Sequence, residues 1–318
     1  MSEPLRSDLK ALVVPDEQFR LVAPCLHVAL FTDMEFTAVS EQVLSVYERY
    51  LGLCPPGRLS WYATENMTRH KPATARTFDM LRGWLKPGAA PRKELRIQLK
   101  DGADEIDTPT WVFEVDGVGP GGYAHGRRTN AIVCSFPADP SKEAIEVFSG
   151  FVLQLFEQIP FRWGYAGYAL NWSPYRQPSA HMAAWRLSMQ HPGADIVLTS
   201  TEYLRVGRAG IKNINWMTML GPELLQEIGG PAALREQLPP EIDIRSIAQG
   251  IVIRTGDAPE LGHVNRRDTL PAYRAAYKVL EPLQRPIVQG FTSFSLPGGD
   301  HKDKTTAWLR RFADEEHG

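Results

Sequence analysis

Residues 94–118 read ELRIQLKDGADEIDTPTWVFEVDGV, and their pattern decides the fold. Apolar side chains occupy every second position from 95 to 99 and again from 111 to 115. An alternation of this kind has the period of a strand with one buried face. The polar residues between the two runs are too few to form a helix. The stretch therefore predicts two strands of a hairpin joined by a long acidic loop.

The chain around this hairpin mixes strands and helices irregularly. Short apolar runs at 26–31, 131–136 and 163–170 predict buried strands, and helical spacing of apolar residues at 36–51 and 145–159 predicts helices. Several strands are linked by polar turns too short for the crossover that parallel strands need. We therefore predict an α+β fold with mainly antiparallel mixed sheets and packed helices.

Composition suggests a simple domain organisation. Residues 1–20 are polar and predict an N-terminal lead-in, residues 21–290 an α+β domain, and residues 291–318 a C-terminal loop and helix. The similar order of elements in 21–125 and 126–290 suggests two pseudo-repeated halves. No residue-level repeat supports this duplication, so it is a hypothesis.

Local signals place several element boundaries. Asp139 and Pro140 suit the N-cap and first position of the helix that follows. Residues 211–220 and 242–254 read as strands, with one helix at 222–238 between them.

Composition excludes several classes of function. The chain has 318 residues, 43% hydrophobic and 23% charged, with a formal net charge of −2, so no global basic field attracts nucleic acid. Cys25, Cys54 and Cys134 lack ligand spacing, and Cys134 lies in an apolar run that predicts burial. We find neither a signal peptide nor a membrane span. We expect a soluble, cytoplasmic protein with no membrane contact and no direct contact with nucleic acid.

The sequence contains no recognisable catalytic signature. Residues 117–122 (GVGPGG) match GxGxxG, but Pro120 and the short polar segment after it leave no room for the phosphate-binding helix. HExxH, GxSxG and the phosphate-binding loop are missing. His27 lies in the first apolar strand, where a hydrogen-bonded core histidine is expected. We predict no catalytic residue, no cofactor and no metal site.

The acidic loop is the candidate partner-binding site. Asp101, Asp104, Glu105 and Asp107 place four carboxylates in seven residues. One interpretation is a solvated hairpin loop. The other is a mimic of a phosphate backbone, whose carboxylates occupy the cationic groups that a nuclease keeps for nucleic acid.

Landmarks in the second half carry a family resemblance. They are FRWGYAG at 161–167, NINW at 213–216, Gly229-Gly230 and GDAPELGHVN at 256–265. Their order and spacing resemble the bacterial type VI secretion immunity proteins over roughly residues 25–283. One departure is His263, where the family pattern has an acidic residue, so any role of that acid is in doubt here.

The resemblance implies a function without catalysis. Such proteins bind a cognate antibacterial toxin delivered by the type VI apparatus, in several cases a nuclease, and block its active site. Two alternatives stay open. One is a cytoplasmic hydrolase or nuclease without a motif, which a pocket of converging perturbed acids or histidines would favour. The other is a structural adaptor of a secretion or phage-like particle.

Overall fold

The computed structural model describes residues 3–16, 19–122, 125–126, 128–199, 202–290 and 300–313. Within these ranges a 12-stranded sheet forms the centre of the molecule. The strands are β1 (Val14–Asp16), β2 (Phe19–Thr32), β3 (Trp61–Thr64), β4 (Lys71–Pro72), β5 (Glu94–Lys100), β6 (Val112–Val118), β7 (Asn130–Pro137), β8 (Trp163–Trp172), β9 (Asp195–Ile196), β10 (Met217–Leu220), β11 (Asp243–Ile247) and β12 (Gly250–Arg254).

The strand order confirms the predicted antiparallel architecture. The sheet runs β11-β12-β10-β8-β2-β7-β6-β5-β3-β4, with β1 beside β2 and β9 beside β8. The pair β8–β9 is parallel and the pairs along the main order are antiparallel. The hairpin expected from residues 94–118 is β5–β6, where Leu99 lies opposite Phe113.

The two predicted halves meet at the centre of this single sheet. Strand β2, from the first half, lies between β7 and β8 of the second. The domain boundaries and the internal duplication stay predictions, which a superposition of the halves would test.

Helices lie against this sheet and around its edges. They are α1 (Glu3–Ala11), α2 (Ser40–Leu53), α3 (Ala75–Phe78), α4 (Met80–Leu85), α5 (Lys142–Gln158), α6 (Gln177–Gln190), α7 (Pro222–Glu227), α8 (Gly230–Gln237), α9 (Pro271–Gly290) and α10 (His301–Leu309).

Helices α2 and α5 bury one face of the sheet. Tyr50 of α2 lies in a ring cluster with Phe113 of β6, Phe136 of β7 and Phe151 of α5, at centroid distances of 5.4, 5.1 and 6.1 Å. Aromatic contacts of this kind stabilise the fold beyond the effect of removing apolar area from water. This helix-covered face is the apolar half of the alternation read from the sequence.

The opposite face carries polar side chains and is only partly covered. Around Tyr165 of β8 it is closed by the segment before β10, since Lys212 Nζ lies 4.4 Å from the Tyr165 ring centre. Over β5 and β6 it opens into a cleft. His27 also belongs to this face, and its Nδ1 lies 2.9 Å from Ser135 Oγ, confirming the predicted hydrogen-bonded core histidine.

The start of α5 differs from the expectation. Ser141 is the N-cap, and its side chain accepts a hydrogen bond from the backbone N–H of Ala144. Asp139 lies two residues earlier, where its Oδ1 accepts from the Ser141 N–H at 2.8 Å. The expected cap at Asp139 was wrong because Asp139 forms a turn with its own carboxylate before the helix begins.

Two boundaries near the chain landmarks are also corrected. Only Met217–Leu220 of the predicted strand 211–220 pairs in the sheet, because the residues before it bond to nearby side chains instead: Asn213 Oδ1 accepts from the Ile214 N–H, and the Asn215 N–H donates to the Thr218 hydroxyl. The helix expected at 222–238 is two helices. Gly229, at φ 86°, breaks it between α7 and α8.

Candidate functional site

Asp101 closes the acidic loop from the inside. Its side chain is 1% exposed. Oδ1 accepts from the N–H groups of Thr110 and Trp111 at 2.7 and 2.9 Å, and Oδ2 accepts from Thr110 Oγ1 at 2.9 Å. Arg58 Nε lies 3.3 Å from Oδ2. This carboxylate holds the two ends of the loop together.

Asp107 is also turned inward. It accepts from Arg20 Nε and NH2 at 3.1 and 2.8 Å and from the Ala103 N–H at 3.2 Å. Burial opposes ionisation of Asp107, but the hydrogen bonds from Arg20 outweigh it and hold the pKa below its ordinary value. Asp107 therefore anchors the loop to the start of β2.

Asp104 and Glu105 are the two acids of the loop that reach the surface. Asp104 is exposed, although its Oδ1 also accepts from the Ile106 N–H at 3.2 Å. The Glu105 side chain is 23% exposed and lies 3.4 Å from the exposed Arg69 guanidinium. Of the four candidate residues, these two can present carboxylates to a partner without dismantling the loop.

We expect Asp101→Ala to lower the free energy of unfolding by about 2–3 kcal/mol, because three buried donors lose a charged acceptor. Asp104→Ala is the matched control and should change it by less than about 0.5 kcal/mol. Urea unfolding of both variants measures the difference. Equal effects would contradict the structural role of Asp101.

Beside this loop, the open half of the polar sheet face forms a cleft of about 240 Å³. Its floor comes from β5, β6 and β7, and its wall from the segments around α6 and β9. Arg96, Gln98 and Lys100 of β5 and Glu114 of β6 lie on the floor, with Trp172, Pro174 and His181 on the wall. Lys100 Nζ donates to the Asp107 carbonyl at 2.8 Å, so the floor and the loop are directly connected.

A chain of hydrogen bonds crosses the floor. Gln98 Nε2 donates to Glu114 Oε2 at 2.7 Å, so Gln98 Oε1 is left to accept from His70 Nε2 at 2.6 Å. His70 Nδ1 then accepts from the Tyr175 hydroxyl at 2.9 Å. Burial lowers the pKa of His70 to about 4, which keeps the ring neutral as this arrangement requires.

Ion pairs continue the chain along β6. Arg96 lies 3.2 Å from Glu114 and 3.4 Å from Asp116, and Arg128 lies 2.6 Å from Asp116. The side chains of Glu114 and Asp116 are each 4% exposed, whereas Arg96 is 38% exposed. Burial raises the pKa of Glu114. The accessible charge on the floor is therefore the Arg96 guanidinium.

The sequence contains the signal for this floor, although none of its residues is among the predicted site residues of the acidic loop. Arg96, Gln98 and Lys100 alternate with buried leucine and isoleucine, and Glu114 and Asp116 do the same one strand later. Charged residues on the same face of two paired strands indicate a polar surface. Their register, and the helix that walls them in, became visible only in the structure.

The glycine-rich segment 117–122 begins at the end of β6 and continues as a turn to Gly122. Gly119 N–H donates to the Lys93 carbonyl at 3.0 Å, and a Cβ at Gly119 or Gly122 would collide with the backbone of Arg92 or Lys93. In the described parts of the chain, no three His, Cys, Asp or Glu residues converge as metal ligands. No helix in those parts is long and apolar enough to cross a membrane.

Together, fold and site define a class: an α+β protein with one mainly antiparallel sheet, helices α2 and α5 on one face, and a polar cleft walled in part by α6 on the other. The same fold occurs in the solved "Pseudomonas aeruginosa T6SS protein PA0821", with a TM-score of 0.81 and 21% sequence identity, covering 98% of this chain and 91% of that one. No curated protein matches the sequence.

The chain belongs to the TsiV family, type VI immunity for VRR-NUC, whose family model matches residues 41–312. This confirms the resemblance drawn from the landmarks at 161–167 and 213–265. The family defines an immunity function in type VI secretion and competition between bacteria.

Proposed function

We propose that this protein binds a VRR-type nuclease effector in the cytoplasm and neutralises it by covering its active site, without itself being an enzyme. The family match over residues 41–312 carries the proposal. Inhibition by occlusion needs a stable complex, which usually buries an interface on the order of 1,600 Å². Asp104 and Glu105 are the carboxylates of the acidic loop that we assign to this interface.

A binding experiment tests the proposal. The nuclease domain of a candidate VRR-type effector is purified in a catalytically inactive form and titrated with the full chain. We expect an equimolar complex with a Kd of about 10 nM or tighter. In the active form, nuclease activity should fall in proportion to added protein and vanish at equivalence.

Protection in cells provides the biological readout. Cells that express the effector domain should survive only when this chain is present. Continued killing, together with no complex in the titration, would contradict the proposal. Tight binding of the effector domain without inhibition of its nuclease activity would instead show that the complex forms away from the active site.

One observation favours a second candidate, an enzyme. The cleft brings together His70, His181, Glu114 and Lys100, and burial lowers the pKa of Lys100 to about 8 and that of His181 to about 4. Against catalysis, both ring nitrogens of His70 and both oxygens of Glu114 already have protein partners. A general base needs a free lone pair within reach of its substrate.

Incubation of the purified chain with DNA and RNA in the presence of magnesium separates the two candidates. Cleavage that disappears in Glu114→Gln would support the enzyme. Intact nucleic acid together with a tight effector complex would support the immunity protein.

A further inference from the structure

Forming the polar cleft costs free energy, because charged side chains on its floor are removed from water. The opposite face supplies the aromatic core, so the charges on the floor are not needed to hold the strands together. Paired charges removed from water often stabilise a fold no better than apolar side chains of similar size. The series Glu114, Arg96, Asp116 and Arg128 therefore suggests recognition rather than stability.

Exposed basic side chains border this cleft. Arg69 and Lys71 flank His70 in the chain, and both are exposed. Arg176 lies between the lining residues Pro174 and Gln177, and its side chain is 55% exposed. With Arg96 on the floor, these residues define what we call the basic border: Arg69, Lys71, Arg96 and Arg176.

Near the basic border, acidic side chains are fewer or less exposed than the basic ones. Arg69 faces Glu105, whose side chain is 23% exposed, and Arg176 lies 3.9 Å from Asp16, whose side chain is 35% exposed. Asp101 and Asp107 are buried within their loop. Asp104 is the fully outward acid of that loop. The charged side chains that are exposed around the cleft are therefore mainly basic, although the net charge of the chain is −2.

We propose that the cleft and its basic border are the docking surface for an acidic segment of the effector. A guanidinium presents paired donors that match a carboxylate, and a cleft with low-dielectric walls strengthens that contact. The apolar wall formed by Trp172 and Pro174 would pack against the aliphatic part of the same segment. The inference rests on the proposed function and adds to it the surface and the charge of the partner.

A pair of double variants with equal charge change tests the surface. The border variant is Arg69→Glu with Arg176→Glu. The control is Lys142→Glu with Arg245→Glu, on α5 and β11, and there too each cation lies beside an acid, Glu146 or Glu157. Pairs this exposed contribute little to stability, so both variants should fold.

The readout is the association rate with the inactive nuclease domain at about 0.05 M and about 0.5 M salt. We expect the border variant to associate at least tenfold more slowly at low salt, as a rough lower bound, and to approach the wild type at high salt. The control should stay within about twofold of the wild type in both conditions. Arg96→Gln should raise the dissociation rate about tenfold, because a short-range contact acts on dissociation.

Each other outcome counts against the inference in a recognisable way. Equal slowing by both double variants would show that only net charge matters and would overturn the docking surface, while binding itself would still support the immunity function. Faster association of the border variant would mean that the cleft faces a basic segment of the partner, and it would overturn the inferred acidic segment. If the wild type does not bind the domain, the proposed function fails first and the inference with it.

Discussion

Replacing Lys212 by methionine should cost about 3–5 kcal/mol of unfolding free energy, a large fraction of the total that holds a folded domain together. Lys212 is fully buried among Asp195, Glu202 and Tyr165. Its Nζ lies 3.1 Å from Asp195 Oδ2, contacts Glu202 Oε1, and donates to the Ile196 carbonyl at 3.0 Å. Methionine keeps the length of the side chain but leaves two buried carboxylates without their common cation.

The two carboxylates should respond differently. Asp195 keeps a second cation, Arg311, at 3.6 Å. Burial opposes its ionisation, but Lys212 and Arg311 hold its pKa below the ordinary value. Burial raises the pKa of Glu202 despite Lys212. Once Lys212 is gone, we expect Glu202 to carry most of the cost and to take up a proton.

A double variant checks this assignment. Glu202→Gln removes the orphaned charge, so Lys212→Met with Glu202→Gln should recover at least half of the lost stability, a clear departure from additivity. The surface control Lys142→Met, at a side chain that is 90% exposed, should change stability by less than about 0.5 kcal/mol. Urea unfolding of five proteins gives the values: the wild type, Lys212→Met, Glu202→Gln, the double variant and Lys142→Met. A cost below about 1 kcal/mol for Lys212→Met would contradict the role of the cluster.

The sequence predicts the elements of this fold because their signals are local. Alternation at 94–118 identifies β5 and β6, and the apolar run at 131–136 identifies β7 with Cys134 fully buried. Each of these signals depends on which side chains are exposed to water, and the pattern of exposure in a strand or helix repeats within a few residues. The class of fold follows from them.

What local signals do not contain is the choice of distant partners. Asp101 and Asp104 look alike in the sequence, yet one is bound by Thr110 and Trp111 and the other faces solvent. Likewise, Lys212 sits in a stretch that reads as a strand, and only the folded chain places it against Glu202 and Asp195. Such contacts are set by how the segments pack, so no window of the sequence reveals them.

We expect the protein to lose stability on acidification at pH values well above the pKa values of most carboxylates. Burial lowers the pKa of His27 to about 3 and the pKa values of His70 and His181 to about 4. In the unfolded chain the same histidines bind a proton near pH 6.5. Their contribution to stability is therefore fully present above about pH 6.5 and is lost as the pH falls toward the folded-state values.

The size of the effect follows from the number of protons. Each histidine that protonates only in the unfolded state removes up to about 1.4 kcal/mol per pH unit. Because the unfolded histidines are already half protonated at pH 6.5, three of them remove about 5 kcal/mol between pH 6.5 and pH 5. Glu114 and Glu202 act in the opposite sense, because burial raises their pKa values and the folded state takes up their protons first. We therefore expect a net loss over this interval that is smaller than the histidine contribution alone.

Urea unfolding at pH 8, 6.5 and 5 measures the loss, and a histidine variant assigns it. Replacing His70 and His181 together by glutamine removes two of the three proton-binding sites, so the slope of stability against pH should fall by about two thirds of the histidine contribution. A lower stability of the variant at pH 8 does not affect the test, since the slope is the readout. Equal unfolding free energies of the wild type at pH 5 and pH 8 would contradict the prediction that the buried histidines, of which His27 is 0% and His181 2% exposed, outweigh the two glutamates.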